Sequence, residues 1–513
     1  MKKYGIILAV CLVVGTFGSL FALGKAKKME RTPAGIVSEE GNLAAAEGLE
    51  IVYYDYLLHK YDEGFDRVET TLIDRMRENT IRFEADGIHT DTKMAAYDKT
   101  AKREEEEWFR RNELVETEGF YAGIAVEAMN VKNIVPDEMT EELKKSGETV
   151  QIPLSEITEY YPITFHVCVP TLAFSYGRDT WSTLNFCVDY EYSDREVNAK
   201  NLRIAGAIRD AFRIPVIPEE VWELQYEKES DDYGEYYNFY QSSVGKDSYT
   251  PSFVNAVSDS AIYFTYDTHT KNGAIVDTSK VTVPGGYGIY ILPYIIDENI
   301  PAQCDAKTDE LRLLYPLDPE MEVKELYLSQ DQKTLLVLYQ LEGEYCAKVI
   351  DVTTAECVFE TQFGKEPESV RRLWTIVSSG EDWFAINLLY MFEYTEEEST
   401  AERLARSKQM SPVVVIGKND AGQYGKLLDT NGEFCTLGGN ARNLNLLFDG
   451  KRLAIVFHDI GYTEYITVQI FTGEGLVYSA TLNNPSGSLT GDTLYSEDSL
   501  ETVSWGLESS WKK

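Results

Sequence analysis

From Tyr160 onward apolar residues come in short runs separated by Asp, Gly, Ser and Lys, the signature of strands and turns. Strands are predicted at Thr164 to Val169, Leu184 to Tyr192, Val221 to Glu227, Ala261 to Tyr266 and Ile289 to Ile295. Before Tyr160 the pattern is mixed. Leu49 to Leu58 reads as a strand, whereas Lys93 to Val115 reads as a helix. Pro136 to Gly147 is a compact helix, with proline and acids at its start and lysines then glycine at its end. A further short helix is predicted from Asn201 to Phe212.

The most informative pattern is a repeat at an offset of 118 residues. Leu326, Leu328, Asp331, Lys333, Leu335, Val337, Tyr339, Ile350, Val352 and Val358 match Leu444, Leu446, Asp449, Lys451, Leu453, Ile455, Phe457, Val468, Ile470 and Leu476 without a gap. Each copy predicts four strands, near 322–328, 334–340, 345–352 and 357–363, and near 442–447, 452–458, 463–471 and 476–482. The second strand is apolar on both faces in each copy, as a strand buried between two neighbouring layers requires. Ser379 to Leu389, with Ser411 to Ile416 and Gly425 to Leu428, reads as a third unit. Ser258 to Tyr266 opens a fourth.

Four-stranded units in tandem, none able to bury both faces alone, are the pattern of a β-propeller. The units resemble propeller blades of the general family in which an Asp-Gly-Lys-type turn precedes a buried strand and an Ile-Asp-Val strand precedes a Thr-Thr turn. The resemblance is carried by residues 320–483 and extends back to about 250. It implies a mainly β fold, a β-propeller of about six to eight blades with a few short helices; stacked β-sandwiches are the competing architecture. A second resemblance, through Tyr160 to Pro162, Phe212 to Val216, Asp277 to Ser279 and Pro284 to Tyr290, is to uncharacterised membrane-anchored proteins of Gram-positive anaerobes. It implies a location and no activity.

The N-terminus changes the picture. Tyr4 to Gly24 carries no charged side chain and as a helix covers about 30 Å, enough to cross a bilayer. Residues 1–3 form a short tail, 4–24 a transmembrane helix or a cleavable signal, 25–48 a stalk, 49–159 a mixed α/β segment and 160–513 the propeller-like domain. Lys25, Lys27, Lys28 and Arg31 favour a cytoplasmic domain on a strict count of flanking charge. The two-lysine leader favours export, and a single-pass protein with an extracytoplasmic domain is the reading adopted. The net charge of −37 repels nucleic acid and leaves cationic partners and divalent ions easier to hold. Seven cysteines include no Cys-x-x-Cys pair.

No catalytic, cofactor or metal set emerges. His166 and Cys168 share a strand face but are two ligands only. Asp267 to Gly273 starts like a calcium loop, with Lys271 where an oxygen ligand belongs, so calcium is possible and a hairpin turn is the plainer reading. Pro284 to Tyr290 is glycine-rich but enters a strand, not a helix. Candidate binding loops are Tyr233, Tyr236, Tyr237 and Tyr240, since tyrosine combines a rigid face with a hydroxyl, and Gly285, Gly286 and Tyr287. The expectation is a membrane-tethered, non-enzymatic binding or scaffold module for a protein or extracellular ligand. A propeller-type hydrolase or lyase, and a sensor arm of a transporter or kinase, are the alternatives.

Overall fold

A computed structural model describes residues 35–63, 68–94, 121–125, 134–161, 164–168, 203–204, 206–231, 234–245, 247–249, 252–295, 305–365, 370–392, 412–430, 444–459, 465–483 and 500–512. Tyr4 to Gly24, most of Lys93 to Val115, Leu184 to Tyr192 and Tyr233 lie outside them. Among the described residues no helix is long and apolar enough to cross a membrane.

In chain order the elements begin with β1 (Ile36–Gly41), β2 (Leu49–Glu63), β3 (Val68–Glu84), β4 (Gly87–Met94), β5 (Tyr121–Ala125), α1 (Asp137–Ser146), β6 (Val150–Pro153), β7 (Thr164–Cys168), β8 (Val221–Asp231) and β9 (Gly234–Ser243). Next come β10 (Phe253–Val257), β11 (Ala261–Tyr266), β12 (Gly288–Ile295), β13 (Asp305–Ala306), β14 (Arg312–Pro316), β15 (Glu322–Leu328), β16 (Thr334–Leu341), β17 (Glu344–Asp351) and β18 (Glu356–Lys365). The last are β19 (Val370–Ser379), β20 (Trp383–Phe392), β21 (Val413–Lys418), β22 (Tyr424–Asp429), β23 (Leu444–Phe448), β24 (Leu453–Asp459), β25 (Tyr465–Thr472), β26 (Gly475–Asn483) and β27 (Leu500–Trp511). The fold is mainly β.

The strands form antiparallel sheets that follow the repeat: β15 to β18, β19 to β22 and β23 to β26 are consecutive meanders, and β10 to β12 lead into a similar sheet completed by β13 and β14. First strands of successive sheets adjoin, β10 with β15, β15 with β19, β19 with β23 and β23 with β27. The last strand, β27, pairs with β2 and so joins the sheet of β2, β3 and β4.

Alternation along each central strand shows why the second strands carry apolar residues on both faces. In β16, Leu336 and Leu338 pack with Phe384, Ile386 and Ile416 of the next sheet, while Leu335, Val337 and Tyr339 face the preceding one. In β24, Leu453, Ile455 and Phe457 pack toward Val413 and Val415, while Ala454 and Val456 meet Ile51, Ile81 and Phe83 of the β2–β3 sheet. A period of two thus sends successive side chains into two different cores. Each sheet is a shared wall.

The repeat is less regular than its gap-free alignment. Leu328 pairs with Leu335 across a six-residue turn, 329–334, but Phe448 pairs with Leu453 across four, 449–452. The next loop goes the other way, residues 342–343 in one copy and 460–464 in the other. Phe471, not Val468, therefore faces Leu453 as Ile350 faces Leu335. Order also begins before Leu49. Ile36–Gly41, placed by the sequence in a stalk, adds an outer strand to β26, and Tyr478 donates to Glu39 Oε1 at 3.0 Å.

Helix α1 matches its expected limits. Acids Asp137 and Glu138 open it, Lys144 and Lys145 close it, and Gly147 at φ 63° donates its N–H to Leu143 O at 3.0 Å. Residues 203–204 and 206–211 are helical, inside the predicted 201–212 stretch.

Candidate functional site

The tyrosine-rich segment forms the hairpin of β8 and β9, paired from Trp222 with Ser243 to Asp231 with Gly234. Its sheet runs β6, β8, β9, so β9 is an edge strand, and among the described residues no strand pairs with its outer side. Tyr236 and Tyr240 stand 40% and 48% exposed, and both hydroxyls donate to Glu229 across the hairpin, at 2.9 and 3.3 Å. Hydrogen bonds from Asn238, then Tyr236 and Tyr240, hold the Glu229 carboxyl below its usual range, and the same contact raises the Tyr236 phenol.

Tyr237, 41% exposed, points to the other face. There the Lys144 ammonium of α1 lies 5.5 Å from the Tyr226 ring centre and 5.8 Å from that of Tyr237, while bonding Glu141 at 3.1 Å. One face of the hairpin is therefore occupied by the chain's own helix. Tyr236 and Tyr240 are exposed on the opposite face, their hydroxyls held beside the Glu229 carboxylate.

The other predicted binding loop is a structural turn. Gly285 and Gly286 take φ of 101° and 82°, the left-handed region that glycine tolerates. A Cβ on Gly288 would stand 2.1 Å from Tyr315 O, so β12 can approach β14 only with glycine there. Tyr287 is buried and donates its hydroxyl to Tyr266 O at 3.1 Å, and burial pushes its phenol up to about 12. That side chain packs in the core.

Asp267 to Gly273 is a hairpin turn. Asp267 Oδ1 accepts the His269 N–H at 2.9 Å, and Thr270 Oγ1 and the Asn272 N–H donate to Asp247 at 2.7 and 3.0 Å. These carboxylates are engaged in holding loops. His166 and Cys168 lie on β7, within residues whose side chains are not described. Among the described residues one trio brings possible metal ligands together, Glu84, Asp86 and His89, all exposed at the β3–β4 tip. His89 Nε2 is 2.9 Å from Asp86 Oδ1 and 3.9 Å from Glu84 Oε2, and the Asp86 bond raises the imidazole, as in an ordinary surface ion pair.

Sequence reasoning picked out the tyrosines but missed Glu229 and Lys144. Glu229 is one acid in an acidic run, and Lys144 looks like a helix-ending lysine; only strand register and helix docking reveal their partners.

No protein-family model matches the chain, and no curated protein does. Among solved structures it is similar to a putative 6-phosphogluconolactonase from Bacteroides uniformis, at 12% identity over 89% of this chain and 99% of that one, with a TM-score of 0.28. It is also similar to the Dos1 propeller, at 10% identity over 54% of this chain and 57% of that one, TM-score 0.25. The β-propeller domain of the Trilobed protease from Pyrococcus furiosus gives 10% identity over 51% and 67%, TM-score 0.20. The chain thus spans less than two thirds of the Dos1 chain's length, and scores this low carry no argument about activity.

Proposed function

We propose that this chain is a non-enzymatic binding module: a β-propeller, tethered to a membrane through Tyr4 to Gly24 and facing outward, that docks a cationic extended segment of a partner protein on the β8–β9 hairpin. The propeller reading is supported by consecutive sheets that share walls and by the pairing of the last strand with the second, the usual way a ring of blades is fastened.

The observation that carries the binding reading is the hairpin itself. An edge strand offers main-chain hydrogen bonds to an added strand. Tyr236 and Tyr240 give it exposed aromatic faces. Residues 221–243 hold six acids, Glu223, Glu227, Glu229, Asp231, Asp232 and Glu235, against the single Lys228. A basic strand would satisfy all three features.

Calorimetric titration of the full chain with a lysine- and arginine-rich peptide tests the reading. Binding that weakens with salt, and that falls about tenfold or more in the Tyr236→Ala/Tyr240→Ala variant at unchanged Tm, is expected. Absence of binding, or binding indifferent to both tyrosines, rejects it. Protease shaving of intact cells checks the outward placement.

A further inference from the structure

The register of the β8–β9 hairpin sorts its charges by face. Glu223, Glu227 and Glu229 of β8 pair with Ser242, Asn238 and Tyr236 of β9, and Tyr240 pairs with Gln225. With a period of two, the three glutamates and the two tyrosines share one face. Leu224, Tyr226 and Lys228 alternate with the glutamates and point to the other face, where Leu224 and Tyr226 are buried.

The two faces differ in what their charges already hold. On the packed face Lys228 Nζ lies 2.6 Å from Glu235 Oε2, and the Lys144 ammonium stands over the Tyr226 and Tyr237 rings. Cations are already in place there. On the opposite face the partners are neutral: Gln151 Nε2 donates to Glu223 at 3.1 Å, and the Tyr236 and Tyr240 hydroxyls donate to Glu229. Among the described residues neither an ammonium nor a guanidinium forms an ion pair with Glu223, Glu227 or Glu229.

A strand added along the outer side of β9, which no described strand occupies, presents alternate side chains to these two faces. From Tyr236 to Tyr240 is about 13 Å at ~3.3 Å per residue, room for three alternate side chains of the added strand. The glutamate row lies two strand spacings away, about 10 Å, which a long basic side chain and a glutamate reaching toward each other can bridge over the tyrosine rings. Side chains at the intervening positions turn toward Lys144 and Lys228, which repel a further cation. Resting on the cationic-partner reading of this hairpin, we propose that it selects a strand with basic residues at alternate positions and uncharged residues between them, and discriminates against the same charges in a contiguous block.

Calorimetric titration of the full chain with two octapeptides of equal composition tests this, one alternating lysine with threonine and one with all its lysines before its threonines. The alternating peptide is expected to bind about tenfold tighter. Glu227→Gln, at an exposed position, is expected to weaken it about fivefold at unchanged Tm, whereas Glu235→Gln, which removes the same charge from the other face, is expected not to weaken it. Equal affinity for the two peptides, or equal loss in the two variants, overturns the spacing rule; the hairpin reading then stands if Tyr236→Ala/Tyr240→Ala still abolishes binding. Binding of neither peptide rejects the hairpin reading and the spacing rule together.

Discussion

Among the described residues, Glu325 is an acid whose surroundings oppose its charge. It sits on β15, where the Tyr327 hydroxyl donates to it and a hydrogen bond from Thr375 of β19 reaches it from the next sheet. Burial dominates and pushes its carboxyl up to about 7, the Thr375 bond opposing only in part. A carboxyl raised in the folded state favours folding while protonated, so its contribution is complete below the ordinary carboxylate pKa and is lost as pH rises through about 7. Glu325→Gln is therefore expected to melt higher than the native chain at about pH 8, with the difference closing by about pH 5. Thermal melts at both values check this, and a gap independent of pH would assign the effect to packing.

At the scale of elements, Lys144 links α1 to the hairpin through two aromatic rings, while its bond to Glu141 holds the ammonium in place and raises its pKa. Lys144→Met keeps the stem and removes the charge. Faster amide exchange across 137–146 and a slightly lower Tm are expected, with sheets β15 to β26 unaffected. Protection of α1 equal to the native chain's would show that Leu143, buried beneath the helix, suffices alone. The same scale shows what the sequence could tell. Strand identity was legible because β16 and β24 carry unbroken apolar runs, Leu335 to Tyr339 and Leu453 to Phe457, and each follows an Asp turn, Asp331 or Asp449, whose carboxylate accepts the N–H of the next lysine. Register was not. Where both faces are buried, an odd shift moves Val468 from one core to another without a change in polarity, so the 460–464 loop left no trace in the pattern. Strand β1 was hidden for the opposite reason: Ser38, Glu39 and Glu40 are exposed, and its pairing rests on main-chain bonds and one side-chain bond from Tyr478 to Glu39. The hairpin tyrosines were legible as composition, and their division between an open and an occupied face came only from register.

For the whole molecule, the joining of the two ends was invisible in sequence because the residue that secures it looks like part of a turn. Arg452 follows Asp449 and pairs with it at 2.8 Å. Its Nη1 also donates to Ala45 O and Glu47 O at 2.9 and 3.0 Å, and its guanidinium lies 4.1 Å from the ring centre of Trp511. Trp511 Nε1 in turn donates to Leu447 O at 3.3 Å, and the Lys512 N–H to Gly48 O at 2.7 Å. One planar fork thus holds the entry to β2, the end of β27 and the β23–β24 turn together. A lysine has the charge without the fork or the flat stacking face. Arg452→Lys is expected to lose most of what Arg452→Ala loses, about 1–2 kcal/mol in urea unfolding. Both variants should show earlier proteolysis near residues 42–48 than in the native chain. If lysine restored full stability, charge alone would fasten the seam; if neither substitution mattered, the β2–β27 ladder would be holding the ends without help from the turn.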